Sequence, residues 1–533
     1  MKTGYLSIVL HTHLPFVRHP EHEYFLEENW LYEAITETYI PLIDIFENLV
    51  KEKIDFRLTL SLTPTLISML QDELLQKRYI RYIKNLIGLA EKELQRTKKY
   101  QPEMYGNAKM YYSHFKKCLD IFENDYQNDL TRAFKKYQDL GKIEIITSAA
   151  THGFLPLLQV NEKAVYVQIH TAVKQYKDVF GREPHGIWLP ECGYYQGLED
   201  VLRANGIKYF FVDTHSILFA EPRPVSSVYA PVYTNNGVAV FGRDPESSKS
   251  VWSSEEGYPG DYNYRDFYRD IGYDLSMRYI RPFIHPDGIR HFTGMKYYKI
   301  TGNTTEKKPY RRKTALGRAD VHAGNFLFNR EKQVEYLGPY FKDKAPIVVC
   351  PYDSELFGHW WFEGPQFLDF LLRKAYLNKE GIQTITPSEY LKKYPKQQIC
   401  QPSQSSWGYK GYSEVWLNEK NAWIYRFLHE ISNKMQLLAN KYKSSYNDIS
   451  LLKKRALNQC VREVLLAQSS DWAFIMKTET VVEYAQKRTK EHISNFNKLY
   501  EQIIGDVLDE SFIQELESKN NIFPNINYKI YAD

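Results

Sequence analysis

Two hydrophobic periods alternate along the chain. Short apolar runs, often β-branched, recur at Tyr5–Leu10, Phe56–Leu62, Ile143–Ala149, Gly186–Pro190, Tyr209–Val212, Val238–Phe241, Ile347–Cys350 and Gln383–Ile385. Each predicts a strand. Ile347–Cys350 is apolar without alternation, which predicts burial on both faces, as in a parallel sheet or barrel. Pro351 is expected to end that strand, because proline cannot extend a central one. Between the runs, apolar residues return at helical spacing. They predict helices over about Asn29–Lys51, kinked or split at Pro41, over Thr314–Tyr336 and near Phe367–Leu377. Residues 65–140 are charged and amphipathic without a convincing strand, so a helical insertion is expected there. Residues 247–312 are rich in Gly, Tyr, Asp and Arg with little periodicity and predict a long structured loop over the strand ends. After Pro402 strand signals fade, and 413–517 reads as helical. The pattern is one of β/α units with seven or eight strands, one helical insertion and one helical tail.

The 533 residues are 43% hydrophobic and 25% charged, which fits a globular chain with a large core. A net charge of +4 is too small to argue for nucleic acid or a membrane surface. The one tight basic cluster, Arg311–Lys313, reads as a solvated loop. Five widely spaced cysteines without a C-x-x-C argue against a disulfide framework and for a reducing compartment. The apolar run near the N-terminus is too short for a signal peptide, and no run approaches transmembrane length. A cytoplasmic protein is expected. Aromatics are abundant (43 Tyr, 28 Phe, 9 Trp), which supplies both core and flat surfaces on which sugar rings stack.

Polar residues fall just after run after run: His11 and His13, His152, Glu191, Asp213 and His215, Arg243 and Asp244, and Asp353. In a barrel, strand ends pool such side chains into one pocket. Singly each can be a helix cap or an ion-pair member; together they argue for a site. Glu191 lies in W-L-P-E-C-G-Y-Y and Asp353 in C-P-Y-D-S-E-L-F-G-H-W-W. Glycoside cleavage with retention uses two carboxyls about 5–5.5 Å apart, one attacking and one protonating the leaving oxygen. Apolar surroundings help to keep one of them protonated near neutral pH. A rival reading takes His11 and His13, with His152 and Asp213, as ligands of a metal-dependent amidohydrolase or deacetylase. No helical H-x-x-x-H pair accompanies them, and that reading leaves the Trp-rich loops idle. Hydrogen bonding to sugar hydroxyls is the other use for these histidines. Phosphate-loop, dinucleotide and serine-nucleophile motifs are absent, which argues against a nucleotide-sugar donor.

The stretches H-T-H-L-P-F-V-R-H-P, W-L-P-E-C-G-Y-Y, F-G-R-D with V-W-S-S-E-E-G-Y-P-G-D, and C-P-Y-D-S-E-L-F-G-H-W-W-F-E-G resemble glycoside hydrolase family 57, in particular its 1,4-α-glucan branching enzymes. The resemblance extends to Ser406–Asn418 and Ser469–Phe474, so it spans almost the whole chain. It implies an incomplete (β/α)7 barrel over 1–405 with a helical insertion at 65–140, and an α-helical domain over 406–533 that closes on the cleft. It implies Glu191 as nucleophile and Asp353 as general acid/base. Arg243, Gly260, Trp407 and Asp471 become substrate contacts, and Trp30, Trp252 and Trp416 further aromatic lining. No metal or organic cofactor is implied. The partner is an α-1,4-glucan such as amylose or glycogen, with no nucleic acid or membrane, and the oligomeric state stays open. The implied reaction cuts an α-1,4 chain and transfers it to a 6-hydroxyl. An α-amylase or 4-α-glucanotransferase would use the same two acids, and an idle glucan-binding protein would keep only the aromatic cleft. Residues 290–313, with H-F-T-G-M-K-Y-Y-K-I-T-G, match no catalytic motif and are expected to be a surface extension. Trp423 and Trp472 are open to a plain reading as core residues, whereas Trp407 sits in a loop between Ser406 and Gly408.

Overall fold

A computed structural model describes residues 4–253, 255–444 and 449–533. Ser254 of the Val251–Asp261 motif and residues 445–448 of the tail lie outside them. Nine strands occur among the described residues: β1 (Tyr5–Thr12), β2 (Leu58–Leu62), β3 (Ile143–Ile146), β4 (Gly186–Ile187), β5 (Tyr209–Val212), β6 (Val232–Tyr233), β7 (Ala239–Gly242), β8 (Ile347–Asp353) and β9 (Gln383–Thr384). β1 pairs in parallel with β2 and β8, β2 with β3, and β9 with the start of β1. A second sheet has the order β4-β5-β7-β6, with only β6 antiparallel. A parallel bridge between Thr147 and Ile187 joins the sheets on one side, and the Asp244 N–H donating to the Val349 carbonyl at 2.9 Å joins them on the other. The ring β1-β2-β3-β4-β5-β7-β8 is therefore an incomplete seven-stranded parallel barrel with two thin seams.

The alternation of side chains along β1 shows how the ring is filled. Leu6, Ile8 and Leu10 join the large cluster under the outer helices. Tyr5 and Val9 face inward and meet Trp188, Phe211, Phe241, Ile347 and Val349. The same parity carried to the C-terminal end puts His11 of β1 and Asp353 of β8, which are register partners, on the interior face. The periodicity that fills the barrel thus delivers the site residues to its mouth.

Two expectations are corrected and one is met. β8 continues through Pro351 to Asp353. It is an outer strand of its sheet with β1 as its strand partner, and there proline costs no ladder bond on the open side. The helix carrying Pro41 is split as expected, just before the proline: a π-turn over Ile35–Tyr39 separates Asn29–Ala34 from Ile40–Lys51 and absorbs the missing N–H. Residues 290–313 are not a surface extension. Thr293, Met295, Lys296, Tyr297 and Tyr310 are buried, and Asn107 donates to the carbonyls of Tyr297 and Tyr310. Asp270 accepts from the backbone N–H of Thr293 and Gly294, which anchors the segment, and Ile300, Gly302, Asn303 and Lys307 of its second half line the cleft.

Between β2 and β3 the chain forms helices Pro64–Leu70, Glu73–Tyr100, Tyr105–Asp120 and Thr131–Asp139. The buried Leu75, Tyr79, Ile83, Leu86 and Ala90 recur on one face of the longest, and the charged residues buried with them, Arg78 and Glu93, are paired with Glu28 and Arg96. The tail holds helices Trp423–Tyr442, Leu451–Ala467, Ser470–Thr478, Val482–Gly505 and Glu510–Lys519.

Gly358 follows the end of β8 at φ +114, and a Cβ built on it would lie 1.8 Å from the Glu37 carbonyl in the π-turn. Gly358→Ala is expected to lower stability by about 2 kcal/mol or more, read as a fall in Tm.

Candidate active site

A cavity of about 920 Å³ opens at the C-terminal ends of the barrel strands. His11, His13, His152, Glu191, Arg243, Trp252, Gly260, Asp353, Trp407, Trp416 and Asp471 all border it. Trp30 does not. It packs edge-on against Tyr484 at 5.9 Å, away from the cavity, because its helix turns that face toward the tail.

Glu191 sits in the turn Pro190–Cys192 just beyond β4. Its φ is +61 and that of Cys192 is +50, conformations that side chains with a Cβ seldom adopt. Such strain persists only where the surroundings enforce it, and it gathers at functional sites. Both carboxylate oxygens have donors. Trp407 Nε1 donates to Oε2 at 2.7 Å and Ser470 Oγ to Oε1 at 2.9 Å. The Trp407 backbone N–H also donates to the Glu191 carbonyl at 2.9 Å. Burial pushes the Glu191 carboxyl up to about 7, against the pull of these two donors, and the nearby Asp471 adds to the rise.

Asp353 ends β8. Burial holds its carboxyl well above the usual range, helped by the negative charges of Glu355 and Glu191, while Arg243 pulls the other way. Glu355 is a third carboxyl in the cavity, raised by burial to about 7 and accepting from the Tyr39 hydroxyl at 2.6 Å. Tyr39 is the last residue of the π-turn before Pro41, so that distortion aims a donor at the site. Arg243 is held by Ser248, which accepts from Nε at 2.6 Å, and by Asp213 at 3.3 Å.

The histidines form a stack: the His13 and His152 rings lie 3.8 Å apart, and His11 lies 5.0 Å from His152 and 4.7 Å from Trp188. Burial holds His11 and His152 well below the usual imidazole range, and the neighbouring His13 adds to it, so both are neutral. Burial also opposes the His13 charge, but Asp471 at 3.0 Å outweighs it and raises His13, while Asp471 falls to about 2. All six ring nitrogens are occupied within the protein. His11 meets Ser61 and His152, His13 meets Thr63 and Asp471, and His152 meets His11 and Ser470. Hydrogen bonds from these rings to sugar hydroxyls would first have to displace those partners.

Among the described residues one group of possible metal donors comes together, His13, His152 and Asp471, with ligand atoms within 4.8 Å of one another. Asp213 is not part of it, since it caps Thr214 at 2.6 Å and pairs with Arg243. The nitrogens a metal would need already hold other partners, His11 and Ser470 for His152 and Thr63 and Asp471 for His13, and Asp471 favours a protonated His13, which is no ligand.

The tryptophans divide. Trp407 stands over Glu191, edge-on to Trp188 and Trp252 at 5.2 and 6.0 Å. Trp416 touches the cavity but is only 1% exposed and lies flat on Phe154. Trp472 is core, donating to the Leu466 carbonyl at 2.9 Å. Of the pair after Asp353, Trp361 is buried, while Trp360 is 53% exposed and stacks on Phe267 at 4.3 Å, on the cavity wall. Phe474 of the tail also lines the cavity. Sequence reasoning missed Ser470, Glu355 and Phe474 as site residues. Ser470 and Phe474 lie inside the S-S-D-W-A-F stretch, the only signal that pointed to them.

The model of glycosyl hydrolase family 57 matches residues 7–314, and that of the 1,4-alpha-glucan branching enzyme C-terminal region matches residues 427–531. A 1,4-alpha-glucan branching enzyme of Thermococcus kodakarensis is 33% identical over 98% of this chain and 77% of its own length. The structure of the alpha-amylase AmyC from Thermotoga maritima is 46% identical with a TM-score of 0.93, covering 100% of this chain and 99% of AmyC. A branching enzyme of the same family from Pyrococcus horikoshii is 33% identical with a TM-score of 0.89, covering 100% of this chain and 97% of its own.

Asp471→Asn removes the charge that sustains protonated His13. The His13 pKa is then expected to fall, because burial is opposed only by the weaker pulls of Glu191 and Glu355, and titration of its ring protons by NMR reads this directly.

Proposed function

The chain belongs to glycosyl hydrolase family 57, and from that premise we propose that it is a 1,4-alpha-glucan branching enzyme working by retention. One observation carries the reading. The region that matches the branching-enzyme C-terminal model brings Asp471 and Phe474 into the cavity that holds both Glu191 and Asp353. Glu191 attacks the anomeric carbon of an α-1,4-glucan while Asp353 protonates the departing oxygen. The covalent glucosyl ester then meets the 6-hydroxyl of a second glucan. Asp353, now ionised, takes that hydroxyl's proton, and an α-1,6 branch results. Trp407, Trp252 and Trp360 offer faces for sugar rings, and Arg243 is held on the side of Asp353. Water competes with the acceptor hydroxyl, and the 247–312 segment and the tail are the parts placed to limit it. We divide the chain accordingly into a catalytic barrel (1–405, with the insertion at 65–140) and a helical domain (406–533) that completes the cleft. Five buried free cysteines support a reducing, cytoplasmic setting, and no described helix is long and apolar enough to cross a membrane.

The 46% identity to an alpha-amylase favours a second reading, in which water replaces the acceptor hydroxyl at the same two acids. Amylose as sole substrate separates them. Branching lowers iodine colour with few new reducing ends until isoamylase releases the branches. Reducing ends that rise in step with colour loss, with no gain on debranching, identify a hydrolase.

Two further outcomes are expected of either activity. Glu191→Gln lowers kcat by about a thousandfold or more, whereas Asp353→Asn regains much of the first step with an α-glucosyl fluoride, whose leaving group needs no proton. The profile of kcat/KM against pH rises through about 7 as Glu191 ionises, and falls at higher pH as Asp353 loses its proton. A profile flat across neutrality would contradict the assignment.

A further inference from the structure

A continuous hydrogen-bond chain ends on Glu191. Ser61 Oγ lies 3.1 Å from His11 Nδ1, His11 Nε2 lies 3.0 Å from His152 Nε2, His152 Nδ1 lies 2.8 Å from Ser470 Oγ, and Ser470 Oγ lies 2.9 Å from Glu191 Oε1. Ser61, His11, His152 and Ser470 are all nearly fully buried. The direction of the chain follows from chemistry. An ionised carboxylate can only accept, so Ser470 gives its one hydroxyl proton to Glu191. It must then accept from His152 Nδ1–H. A neutral His152 has one N–H, so its Nε2 accepts from His11 Nε2–H, and His11 Nδ1 in turn accepts from Ser61. Every tautomer is fixed by its neighbour, from a barrel strand to the strained turn. The His152 backbone, at φ +57, also receives the Ser470 N–H at its carbonyl at 3.0 Å, which locks the two residues together.

We infer that Ser470 is a positioning residue for Glu191, the final donor of a one-way chain Ser61–His11–His152–Ser470 that orients its carboxylate and holds it ionised for attack. The inference rests on Glu191 as nucleophile. It gives His11 and His152 a part that needs no contact with sugar. It also makes the tail a contributor to the reacting group: with Trp407, residues beyond the barrel donate to both oxygens of Glu191. The titratable groups facing Glu191 are His13 and His152 from the barrel loops, Asp353 from β8, its neighbour Cys192, and Asp471 and Tyr425 from the tail helices. Of these, His152 Nδ1 lies 3.6 Å from Oε1, beyond hydrogen-bond length, whereas the Ser470 hydroxyl lies at 2.9 Å.

The test compares Ser470→Ala, Ser470→Thr and Glu191→Gln with the parent enzyme, following kcat/KM for an α-glucosyl fluoride against pH. Ser470→Ala is expected to move the acid limb up by about one pH unit, because a donor to the charged form is lost, and so to lose far more activity below neutrality than above it. Ser470→Thr, which keeps the hydroxyl, returns the limb toward its original place. An even loss at every pH, or no recovery with Thr, overturns the inference. If Ser470→Ala does not fold, Ser61→Ala is read instead: it frees the tautomers and should move the limb the same way by less, and an unmoved limb overturns the chain. Glu191→Gln separates the failures. A fully active Glu191→Gln refutes the nucleophile assignment itself, whereas an inactive one beside an unmoved Ser470→Ala limb refutes the chain alone.

Discussion

A carboxylate taken out of water needs hydrogen-bond donors in water's place, or it takes up a proton. Glu191 is buried, sits on a strained turn, and yet has to be an anion if it is the nucleophile we propose. Its donors come from Trp407 and Ser470, both beyond the barrel strands. The barrel can present the turn but cannot satisfy the charge it carries. Much of the architecture follows from that need. The chain crosses back over the strand ends after β9, lays the Trp407 loop on Glu191, and packs the Ser470–Thr478 helix against the loop that holds His152.

Asp353 meets the opposite requirement. Among the described residues no hydrogen-bond donor reaches its carboxyl, and burial with the nearby Glu355 and Glu191 keeps its proton on against the pull of Arg243. One cavity thus holds two carboxyl groups whose environments push them toward different protonation states, which is what acid and nucleophile roles demand. The Asp471–His13 pair places a second full charge pair beside them. It supplies a positive group near Glu191 while keeping its own carboxylate from competing for a proton.

The strands, and the residues delivered at their ends, were legible because both depend on short-range pattern: a β-branched run buries itself, and the loop after it faces the barrel mouth. Glu191, Asp353 and Arg243 could be named from that alone, and the resemblance added Trp407 and Asp471. What pattern could not show were contacts between distant segments. Ser470 reaches Glu191 across 279 residues of chain. The nitrogens of His11 and His152 are already used by partners that no spacing foretells. Trp30 has helical spacing and an aromatic ring, yet its face turns to the tail. Pro351 misleads for a related reason, since the cost of a proline depends on whether a neighbour needs its N–H. Residues 290–313 lack periodicity because their polar groups are satisfied by tertiary partners rather than by helix or sheet, as Lys296 is by Asp270 and the Phe267 carbonyl.

The claim on which the rest depends is that Glu191 forms the covalent bond to sugar. The direct measurement is mass spectrometry of the Asp353→Asn variant, quenched with acid during turnover of a 5-fluoro-α-glucosyl fluoride and then digested. A glycosyl adduct on the peptide carrying Glu191, absent from Glu191→Gln, is the result expected. An adduct on Glu355 or Asp471, or turnover that passes through no adduct at all, would contradict the account.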